Sequence, residues 1–183
     1  MTLDLWPGAP RTAASLTGIA QILVERGWLG ANADIGANTP LAAWLERAAE
    51  LLGPWAEDQS SLAGLLALVF HYDAVALLRE TTSRDVLARE GARDVIRELA
   101  NRVLDGGEMG SDRFKEVIEG LKGVLPQRSR DLFHPVRLLL AGRVGAGELD
   151  RVILLLDSAR KLPFAVEVKG TRQRVVEFCA ALD

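Results

Sequence analysis

The sequence predicts an all-α protein. Three observations carry this: apolar residues recur at three- and four-residue spacing almost throughout, Ser, Thr or Pro precedes most of these runs, and Gly or Pro punctuates their ends. With 183 residues, 49% of them hydrophobic, the chain has the material for a packed core, in one compact domain or two small ones.

Taken in order, Leu16, Ile19, Leu23 and Val24 line one face of a helix starting after Thr12 and ending near Gly27. The glycine-containing stretch 27–38 reads as a loop or hinge. Thr39-Pro40 is a helix start, because the hydroxyl can cap free N–H groups and proline lacks the N–H that would be orphaned there. Leu41, Trp44, Leu45, Ala48 and Leu52 follow at helical spacing until Gly53-Pro54. Ser60-Ser61 opens the apolar run 62–78, which contains His71 and Asp73. It is apolar nearly all round, so it is expected to be one central, most buried helix and not a membrane span. Ser83 opens a helix reaching Gly106-Gly107, with Val95, Ile96, Leu99 and Val103 inward and the pairs Asp85/Arg89 and Glu98/Arg102 outside. Ser111 caps the next, with Phe114, Val117, Ile118, Leu121 and Leu125 on one face, ended by Pro126. Pro135 is expected to begin a short helix to about Ala141, with His134 at its N-cap. Leu149, Val152, Ile153 and Leu156 mark another. Phe164, Val166 and Val168 alternate like a strand without a partner, and Thr171 to Leu182 is a last helix. A shift in charge near 106–110 suggests helical subdomains 1–106 and 107–183, or one continuous domain.

Composition narrows the function. A single cysteine, Cys179, excludes an internal disulfide framework and a cysteine-based zinc cluster. The start lacks a basic region followed by an apolar one, so no secretory signal is expected and the cytoplasm is the default compartment. Residues 1–83 hold 4 Arg and no Lys against 9 acids, whereas 113–174 hold 13 basic residues against 7 acidic. The overall net charge of −3 argues against a general DNA or RNA binder and leaves room for one limited phosphate-facing surface.

Motifs for chemistry are absent: no Cys-x-x-Cys, His-Glu-x-x-His, Gly-x-Ser-x-Gly or phosphate-binding Gly-x-x-x-x-Gly-Lys occurs. His71 and Asp73 are two apart and diverge on a helix, so a buried, hydrogen-bonded His71 is expected rather than a metal ligand. Cys179 reads as a small core residue, and Glu90 and Asp94 as a solvated helix face. The glycines of 142–147 follow a helix, not a strand, and read as a helix–turn–helix connection. No metal, cofactor or membrane is expected.

One segment carries a resemblance. Phe133-His134-Pro135-Val136-Arg137, Ala141-Gly142, Gly147-Glu148-Leu149 and Leu155-Leu156 together resemble the C-terminal anticodon-binding region of bacterial glutamyl-tRNA synthetases. In that family a Phe-x-Pro-Leu-Arg helix start leads to a Thr-Gly turn, then to a helix beginning near a proline and ending in Leu-Leu-Gly. Here Ala141 replaces the Thr, Gly147 stands where Pro is common, Asp157 replaces the Gly, and 163–183 run past the usual family end. His-Ile-Gly-His-type and Lys-Met-Ser-Lys-type motifs are missing, so the resemblance implies a non-catalytic relative of the anticodon-binding end. It implies a helical bundle, a tRNA partner and a possible separate catalytic or regulatory protein. It places RNA contacts at Arg137, Ala146, Gly147 and Leu149, with Arg128, Arg130, Arg143 and Arg151 as phosphate contacts. Two alternatives stand beside this: Arg137 pairs with an acid such as Asp131 and only anchors the turn, or the whole chain is a protein-interaction domain on the same scaffold.

Overall fold

A computed structural model describes residues 14–183; residues 1–13, including the start read for a signal, lie outside them. The described residues form helices without strands, as the periodicity predicts. The order is α1 (Leu16–Glu25), α2 (Pro40–Leu52), a 3-10 turn (Gly53–Trp55), α3 (Gln59–Phe70), α4 (Ala74–Arg79), α5 (Thr81–Leu87), α6 (Ala92–Asp105), α7 (Ser111–Val124), α8 (Ser129–Ala141), α9 (Gly147–Ala159) and α10 (Thr171–Leu182).

Several starts are made by the expected chemistry. The Ser15 side chain accepts from Gly18 N–H, and Thr39 from Ala42 N–H ahead of Pro40. Several sequence expectations are corrected. The run 62–78 is two helices: His71 is extended and Asp73 caps α4 by accepting from Ala76 N–H. A local side-chain cap wins there over continuous apolar character. His71 is exposed, not buried, though its Nε2 accepts from Trp28 Nε1 at 3.2 Å. The Ser83 segment is likewise two helices, α5 and α6, broken at Gly91; Ser83 lies inside α5, and Arg89 pairs with Asp131 instead of Asp85. Finally, α8 begins at Ser129, so Pro135 lies inside it and His134 is no N-cap. The alternating stretch after Pro163 forms no strand; Phe164 enters an aromatic cluster with Trp44 and Phe70 at centroid distances of 5.1 and 4.9 Å.

Helix α9, not 62–78, is the most enclosed. It packs against α2, α3 and α8 and buries Leu149 and 152–157. Each such aliphatic side chain contributes about 1.5–3 kcal/mol. Its Leu155 carbonyl accepts from Trp44 Nε1 at 3.1 Å, fastening α2 to it. Two apolar clusters result. One joins α1–α3 to the outer side of α9 and Val168; the other joins α4–α8 and α10 to Leu149 and Ile153.

A buried cation spans the clusters. The Arg174 side chain is 0% exposed and donates from Nε to Lys169 O, from Nη1 to Leu140 O, and from Nη2 to Leu68 O and Val69 O, all at 2.8–3.0 Å. The Leu68, Val69 and Leu140 carbonyls are last-turn groups of α3 and α8, where both helix dipoles favour a positive charge, and Lys169 lies just ahead of α10. Burial brings its pKa down to about 10, which leaves it protonated at neutral pH.

Candidate nucleic-acid interface

Helices α8 and α9 and the loop 142–146 between them carry the residues singled out by sequence. Gly142 ends α8 at φ +75°, a conformation that L side chains rarely adopt, and a Cβ there would lie 3.2 Å from the Tyr72 ring. The turn brings the start of α9 back against α8.

Arg137 is occupied by this turn. Its Nε and Nη2 donate to Asp150 Oδ1 and Oδ2 at 2.8 and 2.9 Å, and Nη1 donates to Gly145 O at 3.1 Å. One face of the guanidinium lies over the Phe133 ring, 4.8 Å from its centroid. The side chains of Arg137 and Asp150 are 13% and 20% exposed. The acid that engages Arg137 is therefore Asp150, from α9, and not Asp131. This bidentate pair fixes the loop between the two helices.

Leu149 is 0% exposed and belongs to the core, so its expected contact with bases is corrected: an apolar side chain one turn into α9 packs inward with Ile153. Ala146 is the exposed N-cap of α9, and its N–H donates to Glu148 Oε1 at 3.3 Å. Gly147 lies under Trp55, where a Cβ would sit 3.1 Å from the ring. Arg128 is exposed but donates to the carbonyls of Lys122, Leu125 and Gln127, closing the end of α7. Arg130, Arg143 and Arg151 are exposed and make no ion pair among the described residues.

Sequence reasoning missed two neighbours. Arg89 bonds Asp131 at 3.4 Å and, with Arg130 and Arg137, surrounds His134 with positive charge. Burial, then these three guanidinium groups, hold the His134 imidazole below the usual histidine range, opposed by Asp131. Its Nδ1 is buried without a hydrogen-bond partner among the described residues. The second is Trp55, which lines a cleft of about 290 Å3 with Arg143 and Glu148. Its place beyond the Gly53-Pro54 stop gave no signal of this neighbour. A larger cleft of about 410 Å3 is lined by His71, Asp73, Glu80 and Glu167 beside Lys169. Lys169 is already bonded to Glu177 and Tyr72 O, so the acids there disfavour a phosphate.

Over 130 residues, 71% of this chain, the sequence is 26% identical to a glutamate–tRNA ligase of Geobacillus stearothermophilus. The match takes up 24% of that enzyme, so the chain spans about a quarter of the relative's length. The comparison supports a region related to part of such a ligase. No protein-family profile matches the chain, and no solved structure matches it. Among the described residues, no helix is long and apolar enough to cross a membrane.

Proposed function

We propose that the chain is a non-catalytic tRNA-binding module that grips an anticodon stem-loop with the α8–α9 unit. The observation that carries this is the similarity to a stretch of a glutamate–tRNA ligase, in a chain whose α8–α9 unit leaves Arg130, Arg143 and Arg151 exposed and without acidic partners among the described residues. Those three supply phosphate contacts, Arg128 being held by the carbonyls that end α7, while Ala146 and Gly147 present backbone to the loop. Arg137 acts as a positioning residue that holds this backbone in place through Asp150 and Gly145. The module works in the cytoplasm, alone or beside a separate catalytic protein, and needs no cofactor.

The test is tRNA binding followed by fluorescence anisotropy at 50 and 200 mM salt. Three phosphate contacts predict a fall in affinity of roughly 20- to 40-fold across that range, because each contact releases condensed counterions. Arg143→Ala should weaken all tRNAs about equally and reduce the salt slope by about 1. No binding of any tRNA at low salt overturns the proposal, and glutamate-dependent pyrophosphate exchange by the purified chain overturns its non-catalytic part. A second reading, a protein-interaction domain on the same scaffold, is favoured by the commitment of Arg137 to Asp150 and by the acidic stretch 1–83.

A further inference from the structure

We infer that the cleft between α3 and the α8–α9 turn receives one unpaired RNA base, stacked on Trp55 and selected for an exocyclic amino group by Glu148. This rests on the RNA-binding reading above and names a subsite within it. Trp55 ends the 3-10 turn and remains 46% exposed. Trp28 and Trp44, by contrast, are 4% and 3% exposed inside the aromatic cluster. The Trp55 ring is backed by Gly147, whose missing side chain lets the start of α9 approach it. Leu65 and Gly64 form the floor, and Gly64 has open space where a Cβ would stand. The opening of about 290 Å3 lies at the small end of ligand pockets, the scale of a nucleoside and not of a helix or a duplex.

The chemistry of the rim fits that occupant. An indole face accepts any base by stacking. Arg143 makes no ion pair among the described residues and is placed to hold the flanking phosphate. Glu148 accepts from Ala146 N–H through Oε1, and its Oε2 has no partner among the described residues. A carboxylate accepts and cannot donate, so it favours the amino groups of cytosine, adenine or guanine and repels a uracil carbonyl.

The experiment is a scan of single abasic sites through the loop of an anticodon stem-loop RNA, bound at low salt by the wild type, Trp55→Ala, Trp55→Phe and Glu148→Gln. In the wild type, removing one particular base should weaken binding roughly 5- to 150-fold, the range for one stacked base. Trp55→Ala should weaken the intact loop by a similar factor and no longer sense that abasic site, and Trp55→Phe should restore part of both. Glu148→Gln should bring a uracil at that position up to the affinity of an amino-bearing base. If Trp55→Ala melts early, Trp55→Leu keeps apolar contact with Gly147 without a π face and is read in the same way. A folded Trp55→Ala protein that binds the intact loop like the wild type, or still senses the same abasic site, overturns the stacking subsite and leaves the RNA-binding reading standing. A wild type that binds no RNA overturns both.

Discussion

Arg137 shows how far one residue's surroundings redirect its chemistry. A planar fork suits a base edge or a phosphate, but here Asp150 meets it with both oxygens and Gly145 O takes another donor. Arg137→Ala should therefore destabilise the fold by about 2 kcal/mol, leaving a half-buried carboxylate unpaired. Arg137→Lys should recover only part of that, since an ammonium cannot make two parallel bonds. Thermal melts and tRNA titrations on the same variants check this: loss of RNA binding should track loss of folded protein. His134 gives a pH dependence. Its folded pKa lies below the unfolded value of 6.5, so the unfolded chain takes up the proton first as pH falls. The His134 contribution is fully present above about pH 6.5 and declines as pH drops from there through the lowered folded value. Urea unfolding of the wild type and His134→Gln at pH 5 and 7 should show the variant losing less stability on acidification.

At the scale of elements, helix ends were decided by local chemistry that the hydrophobic pattern does not contain. The Asp73 cap divides an apolar run that periodicity alone would continue, and α8 runs straight past Pro135 from Ser129. A proline at the seventh helical position forfeits one backbone hydrogen bond, and its burial among the α8 core residues offsets that loss. The end of α8 is less forgiving. Gly142→Ala should cost about 1–2 kcal/mol for the left-handed conformation alone, with more from the Tyr72 ring, which is held by its hydroxyl donating to Leu139 O at 2.7 Å. Differential scanning calorimetry should show a fall in Tm of roughly 2–8 °C for a domain of this size.

At the scale of the molecule, two buried charged side chains hold the last helix in place. Asp157 accepts from Met109 N–H, Thr171 N–H and Thr171 Oγ1 at 2.7–2.9 Å, joining α9 to the 106–110 loop and to the start of α10. A carboxylate there complements the α10 dipole. Asp157→Ala should cost about 3–5 kcal/mol, because buried donors lose a charged acceptor. Arg174→Met should cost about 3 kcal/mol or more, leaving carbonyls of α3 and α8 unpaired. Urea denaturation checks both. A variant within 1 kcal/mol of the wild type would show that α10 is held by its apolar face alone.

The all-α class, the helix starts at Thr39-Pro40 and the span of the last helix were legible in the sequence, because periodicity, capping and proline act over a few neighbouring residues. The basic excess of 113–174 was legible in the same way, as a count. What the sequence could not show is which of those cations remain available. Asp150 takes Arg137, backbone carbonyls take Arg128 and Arg174, and Arg130, Arg143 and Arg151 stay exposed. Nor could it bring Trp55 to Gly147, 92 positions away, or bury Leu149. Those outcomes depend on partners brought together from distant parts of the chain, and only the packing of α2, α3 and α8 around α9 supplies them.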